Sequence, residues 1–421
     1  VDARLHCGNL LLRSGDPAAA EAMYREALAI DPARVDVLYN LGNAQRALDR
    51  RDEATQSYRA ALAIDPQHAP ALINLGNTQM AARDYDGAES SFEWAAALGD
   101  AWIEARYNLA NLQRITGRLD AALVSYRAVL AHDPEHEAAH SNMLLAMNYS
   151  HVVSRDETFS AHVEYGRRFG PAPEGGSAER PSGLLSGLSS GLASGRPSGP
   201  LSSRPPAAVP EAAASDAARQ LRIGFVSPDL REHAVARFIE PIIERLPAHG
   251  FEVYCYFNHD RPDAVTARLR AKVPFWRDVL AVDDDALLAL IARDRIDLLV
   301  DLAGHTAGHR LRMFARRAAP VQLTMIGHVN TTGVAAIDYR LTDAVAEPVD
   351  DGRDHDRFYT ERLLRLKHTS WCFRPPNQPG VSTPGSTPGS TPGSTPGSTA
   401  TSPRPPTPAA PLCAGVGNGG G

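Results

Sequence analysis

At 421 residues with 43% apolar side chains, the chain is long enough for two or three domains, each with a real core. A formal charge of −6, with no basic patch, argues against a nucleic-acid partner or an anionic membrane surface. Cys7, Cys255, Cys372 and Cys413 are scattered without C-x-x-C spacing, and neither a secretory leader nor a run of eighteen apolar residues occurs, so a reducing, cytoplasmic setting is expected.

Residues 1–150 carry a 34-residue beat: Gly8, Gly42 and Gly76; Ala20, Ala54, Ala88 and Ala122; Tyr24, Tyr58, Phe92 and Tyr126. Small residues let two antiparallel helices approach, the aromatic fills the space between them, and Pro32, Pro66 and Pro134 end each second helix at one phase. Leu98-Gly99-Asp100 replaces the proline once, and a glycine turn ends a helix as well. The pattern resembles the tetratricopeptide repeat, which implies a superhelix that binds partners. Val1 falls at the first position of a repeat, so earlier repeats are expected upstream.

A connecting helix is expected over 151–170. From 171 to 220 the composition turns to Ser, Gly and Pro, too poor in apolar volume to offset the entropy of ordering, and a flexible linker is predicted. Beyond 375 the tetrapeptide Pro-Gly-Ser-Thr recurs, and a disordered tail is predicted over 376–421.

Residues 221–375 alternate short apolar runs with amphipathic stretches. Strands are predicted at 221–226, 251–257, 297–302 and 321–326, with helices at 233–248, 263–272, 283–293 and 309–317. Strand then helix, repeated, predicts a parallel sheet covered on both faces, an α/β Rossmann-like lobe behind an α-solenoid. Ligands of such sheets meet the loops at the carboxyl ends of the strands.

Three such loops carry polar residues. The loop 227–233 places His233 at a helix N-terminus, where the dipole favours the neutral ring a general base needs; capping or packing explains the same position. Asp229 reads as the helix cap. In the loop 301–310, Gly304 permits close backbone approach while His305 and Thr306 offer directional hydrogen bonds, although a polar turn satisfying its own backbone fits equally. Asp301, His305 and His309 have metal-ligand types, but two glycines and the absence of H-E-x-x-H argue against a metal centre there. The loop 327–333, bracketed by Gly327 and Gly333 and bearing Thr331 and Thr332, has backbone N–H groups to offer an anion.

Taken together, the repeats, Ile223-Gly224-Phe225-Val226-Ser227-Pro228-Asp229 with His233, Asp301-Leu302-Ala303-Gly304-His305-Thr306, Ala319-Pro320-Val321-Gln322 and Asp338-Tyr339 resemble the bacterial, Spindly-type branch of the O-linked N-acetylglucosamine transferases. The resemblance implies a GT-B enzyme that moves N-acetylglucosamine from uridine diphosphate N-acetylglucosamine to Ser or Thr of a protein, with inversion and without a cofactor or essential metal. It implies that His233 is the base or an acceptor contact, and that Gly304, His305, Thr306, Gly327, Thr331, Thr332 and Gly333 line the donor and acceptor site. Family members usually carry Gly-Tyr-Pro-Gly-Thr-Thr-Gly where this chain has Gly327-His328-Val329-Asn330-Thr331-Thr332-Gly333. The family's second lobe would begin about where this sequence stops, so an incomplete, weakly active or inactive fragment is expected. A non-catalytic adaptor built on the repeats is the alternative.

Asn40, Asn74, Asn108 and Asn142 recur at 34 residues, as do Asn9, Asn43, Asn77 and Asn111 three positions on. A row of amides offers donors and acceptors to an extended peptide backbone, and the family resemblance implies this use of the concave surface. For the second set, tying neighbouring helices together is the competing role.

Overall fold

The computed structural model describes residues 1–170, 219–348 and 354–372. All but the last two residues of the expected linker, and the whole expected tail, lie outside them. Ten helices come first: α1 Asp2–Arg13, α2 Pro17–Ile30, α3 Val35–Ala47, α4 Arg51–Ile64, α5 Ala69–Ala81, α6 Tyr85–Ala97, α7 Trp102–Ile115, α8 Leu119–His132, α9 Glu137–Met147 and α10 Arg155–Phe169. They stack as the antiparallel pairs the 34-residue beat predicts. A Cβ on Gly8, Gly42 or Gly76 would stand 2.5–2.6 Å from the ring of Tyr24, Tyr58 or Phe92, so glycine sets the helix spacing. Polar locks recur at the same period: Ser57 donates to Gln45, Ser91 to Gln79 and Ser125 to Gln113, each within 2.9 Å and buried. Ser154 caps α10 by accepting from the Glu157 amide at 3.1 Å.

The second part is one seven-stranded sheet in the order β3-β2-β1-β4-β5-β6-β7. The strands are β1 Leu221–Ser227, β2 Phe251–Phe257, β3 Phe275–Asp278, β4 Leu298–Asp301, β5 Val321–Thr324, β6 Tyr339–Asp343 and β7 Arg362–Leu366, and every pairing is parallel. Ile223 sits between Val253 and Leu298, which fixes the register at the centre. The helices between strands are α11 Ala234–Arg245, α12 Ala264–Arg270, α13 Asp284–Asp294 and α14 Leu311–Ala315.

Alternation along the central strands sorts two cores. Ile223, Phe225, Val253 and Cys255 pack with Val235 and Ile239 of α11 and Leu269 of α12. On the opposite face, Val226, Tyr254, Tyr256 and Leu299 pack with Leu287 and Ile291 of α13 and Phe314 of α14. This second core does not stop at the sheet. It continues through Tyr126, Leu144, Tyr165 and Phe169 of the helical repeats.

Strands β3, β6 and β7 are additions to the four predicted. Phe275-Trp276-Arg277-Asp278 is partly exposed at one sheet edge, and Arg362–Leu366 alternates at the other, so neither presents the continuous apolar run of a buried parallel strand. Cys255 is buried, and Cys7 and Cys372 are free thiols. No helix among the described residues is long and apolar enough to cross a membrane.

Candidate functional site at the carboxyl ends of the strands

The loop after β1 presents an accessible imidazole at the rim. His233 is itself the N-cap of α11, its Nδ1 accepting from the Val235 amide at 3.3 Å, which corrects the reading of Asp229 as the cap. The extended backbone at 233 leaves the following two amides open, and the imidazole is the nearest acceptor. Asp229 Oδ2 lies 3.7 Å from the same Nδ1, and the His233 side chain is 44% exposed. Burial raises the Asp229 carboxyl above its ordinary value, opposed by the charges of His233, Arg231 and His259. With Nδ1 accepting from the Val235 amide, the neutral ring carries its proton on Nε2; a base role at Nε2 requires Nδ1 to exchange that amide for the Asp229 carboxylate 3.7 Å away.

Neighbouring loops close around this point. Pro228 is the nearest neighbour of Gly308, and Asn258, at the end of β2, donates to the Gly308 carbonyl at 2.7 Å. Asn258 in turn accepts from Arg310, which also reaches the Val279 and Val282 carbonyls and Asp284. Arg310 is therefore a loop-to-loop brace. Ala307 and Gly308 are exposed and Thr306 half-buried, with its hydroxyl donating to the Ala303 carbonyl at 2.9 Å.

The remaining loop residues do not line an open cleft, which corrects the sequence expectation. His305, Thr331 and Thr332 are fully buried and His328 nearly so. Gly304, with φ of 55°, lies under the His328 side chain; a Cβ on Gly327 would meet the Leu302 carbonyl oxygen at 1.9 Å, and one on Gly333 the His162 carbonyl oxygen at 1.8 Å. The glycines serve close packing beneath α9 and α10 rather than approach to a ligand. His305 Nε2 donates to the Thr332 carbonyl at 2.8 Å, while Thr331 and Thr332 both hydrogen-bond Glu361, a buried carboxylate. Ile326 has φ of 64° between Met325 and Gly327, whose N–H donates back to the Met325 carbonyl at 2.7 Å. A β-branched residue at positive φ in so tight a turn is strained.

Asp301 points away from His305 and His309. It accepts from the Ala303 and Gly304 amides and the Thr324 hydroxyl, and burial raises its carboxyl above the ordinary range. Instead, His305 and His328 meet His162 of α10, with their ligand-type nitrogens all within 4.8 Å of one another. Burial holds His162 and His309 down at about 4, and holds His305 and His328 well below the usual imidazole range with help from neighbouring positive groups. Gln322 bridges the Phe314 and Ala336 carbonyls, and Asp338 pairs with Arg317, so these motif residues hold the lobe together.

Sequence reasoning missed Asn258 and His259, although both follow β2 at the end where ligands gather. His162 and Glu361 gave no local signal, because only the fold brings them to the loops.

On the repeats, all seven predicted ladder asparagines are half-buried. Asn43 and Asn111 accept from the Tyr58 and Tyr126 hydroxyls at 2.7–2.8 Å, and also from Asn74 and Asn142 of the next repeat at 2.8–2.9 Å. Asn9 accepts from Tyr24 likewise, and Asn40 donates to the Asp36 carbonyl. The reading of Asn43 and Asn111 as peptide ligands thus gives way to a tie between helices, since a buried tyrosine hydroxyl needs an acceptor. No such bond is made by Asn77 and Asn108 among the described residues.

Residues 202–373 match the family model described as glycosyl transferase family 41, and residues 8–69 and 73–140 match tetratricopeptide repeat models. A Solanum lycopersicum protein named "Probable UDP-N-acetylglucosamine--peptide N-acetylglucosaminyltransferase SPINDLY" is 34% identical over 256 residues, 60% of this chain and 24% of its own length. The SPINDLY protein of Arabidopsis thaliana, named in the same words, is 32% identical over 256 residues with the same coverage. Among solved structures, a mutant O-GlcNAc transferase of Thermobaculum terrenum superposes with a TM-score of 0.65 at 32% identity, over 83% of this chain and 60% of that one. The chain spans about a quarter of the length of the curated relatives it matches. In its repeats and its parallel-sheet lobe the chain is similar to tetratricopeptide-bearing O-GlcNAc transferases, with the match to glycosyl transferase family 41 confined to residues 202–373.

Proposed function

We propose that the chain acts in protein O-glycosylation, in which N-acetylglucosamine passes from uridine diphosphate N-acetylglucosamine to Ser or Thr of a protein held along the repeats, with inversion and without an essential metal. The observation that carries this reading is His233, half-exposed at the carboxyl edge of a parallel sheet with Asp229 behind its Nδ1. A serine hydroxyl is a poor nucleophile until its proton has an acceptor, and Nε2 becomes one when His233 Nδ1 leaves the Val235 amide and donates its N–H to Asp229. The cytoplasm is the setting proposed for this activity.

A second reading, a non-catalytic adaptor, draws support from the burial of His305, Thr331 and Thr332, which makes that part of the lobe an extension of the superhelix.

One assay separates the two: incubation of the chain with radiolabelled sugar nucleotide and Ser/Thr-rich peptides. Transfer that falls about 10²- to 10⁴-fold in His233→Ala supports the transferase with His233 as base. Undiminished transfer by the variant removes that role, and peptide binding without any transfer favours the adaptor.

A further inference from the structure

We propose that His162, His305 and His328 form a binding site for a divalent transition ion of the zinc type, which fastens α10 of the repeats to two loops of the α/β lobe. The three side chains come from separate segments and are all buried. Their ring centroids are 5.1–5.4 Å apart, and two of the three pairs are edge-to-face.

Hydrogen bonds on the far side of each ring decide which nitrogen carries a lone pair. His162 Nδ1 lies 2.7 Å from the Thr158 carbonyl oxygen, and His305 Nε2 lies 2.8 Å from that of Thr332. A carbonyl accepts only from N–H, so the lone pairs of the neutral rings sit on His162 Nε2, which faces His328, and on His305 Nδ1, which lies 3.3 Å from the Ser141 hydroxyl. An imidazole that donates its other N–H to a backbone carbonyl is the way proteins orient a histidine ligand.

His328 supplies the independent observation. Its Nε2 stands 3.2 Å from His162 Nε2 and 3.4 Å from the Asn148 amide nitrogen, and its Nδ1 is buried without a partner. The Asn148 oxygen already accepts from Asn330, which turns the Asn148 NH₂ group toward His328. A proton on His328 Nε2 therefore opposes Asn148, and a proton on Nδ1 leaves two lone pairs facing each other. A cation between the two Nε2 atoms engages both facing lone pairs. Tetrahedral zinc with Zn–N bonds of about 2.0–2.1 Å separates its ligand nitrogens by roughly 3.3 Å, close to the spacing of this pair. His305 joins as the third ligand through Nδ1 by giving up the Ser141 hydroxyl, which keeps its shorter contact of 2.9 Å with His309 Nε2. A cleft of about 110 Å³ reaches His328 from the side of Met325 and Trp371 and offers an entry path. Imidazole donors without carboxylate or thiolate suit Zn²⁺, Co²⁺ and Ni²⁺ rather than Mg²⁺ or Ca²⁺.

The sequence argued against a metal at Asp301, His305 and His309, and the structure keeps that set apart. The cluster proposed here draws instead on a helical histidine 143 positions upstream of its first loop partner, a juxtaposition no local motif announces.

The test uses the full chain stripped with a chelator, reloaded with Zn²⁺ or Co²⁺ and desalted. Elemental analysis is expected to find about one Zn²⁺ per chain, and Co²⁺ to give the visible absorption of a nitrogen-ligated, low-coordinate site. Zn²⁺ is expected to raise the melting temperature by several degrees, roughly as a ligand of the native state alone must. His162→Gln and His328→Gln should lose all three signals, and His249→Gln, at an exposed position, should keep them. His328→Tyr retains an aromatic ring and removes the ligand nitrogen, and it decides the matter if the glutamine variants do not fold. Metal below about a tenth of an equivalent, or an undiminished cobalt spectrum in His328→Tyr, overturns the proposal.

Discussion

Gly166 of α10 and Gly333 of the lobe meet backbone to backbone: a Cβ at 166 would stand 1.8 Å from the Gly333 carbonyl oxygen. The contact is reciprocal, since a Cβ at Gly333 would strike the carbonyl of His162, one turn earlier on the same helix. Neither obstacle is a side chain that can swing away. Gly166→Ala is therefore expected to cost about 3 kcal/mol or more by forcing α10 off the lobe. Gly42→Ala meets only the Tyr58 ring, and the fourth repeat already has Ala110 at that phase, so its cost is expected near 1 kcal/mol. Urea unfolding of both variants checks the order; equal losses would show that the interdomain contact yields as easily as a repeat.

Glu361 gathers the Thr331 hydroxyl and both the amide and hydroxyl of Thr332 in a buried pocket. Glu361→Ala leaves those donors without an acceptor and is expected to cost about 2–4 kcal/mol, with Glu361→Gln intermediate. Hydrogen exchange of the Thr332 amide should accelerate in step with the loss. Unchanged protection there would mean that another acceptor replaces the carboxylate.

The asparagines divide by the bonds they make. Asn43→Ala and Asn111→Ala strand a tyrosine hydroxyl and an amide from the next repeat, and each is expected to lower stability by about 1–2 kcal/mol. Asn77→Ala and Asn108→Ala are expected to change stability by less than about 0.5 kcal/mol while weakening an extended peptide bound to the repeats. Melting curves and titration calorimetry with one peptide measure the two effects. Peptide affinity insensitive to Asn77 and Asn108 would remove the ladder from recognition.

The buried imidazoles set an acid limit on the metal-stripped chain. His162 and His309 stay neutral in the folded state down to about 4, whereas the unfolded chain takes up those protons near pH 6.5. Between these values the unfolded state binds more protons, so stability rises with pH. It is complete above about pH 6.5 and declines as pH falls toward 4, at up to roughly 1.4 kcal/mol per pH unit for each such group. Urea midpoints at pH 7, 6 and 5 with chelator present should fall steadily. A flat series would place the rings in contact with water.

The repeats were legible because one aromatic, one alanine and one glycine keep phase, and a solenoid depends only on contacts between neighbours. The central strands were legible for a similar reason: a parallel strand buried on both faces must be apolar throughout, as Phe251–Phe257 is. Edge strands escape that requirement, and Phe275–Asp278 went unseen. At the rim, His233 was placed at the right helix end from its spacing. The fate of His305 and Thr332 was not legible, because it is fixed by α10, a helix that reaches them only after folding. Local sequence reports which loops hold polar groups, and long-range packing decides which of them meet solvent.

One apolar seam runs unbroken from Ala110 and Tyr126 through Tyr165 to Val226 and Leu299. A joint cannot bend where both of its sides share the same interior. The last repeats and the sheet therefore tilt as a single lever, and flexing of the helical stack is left to the repeats nearer Val1.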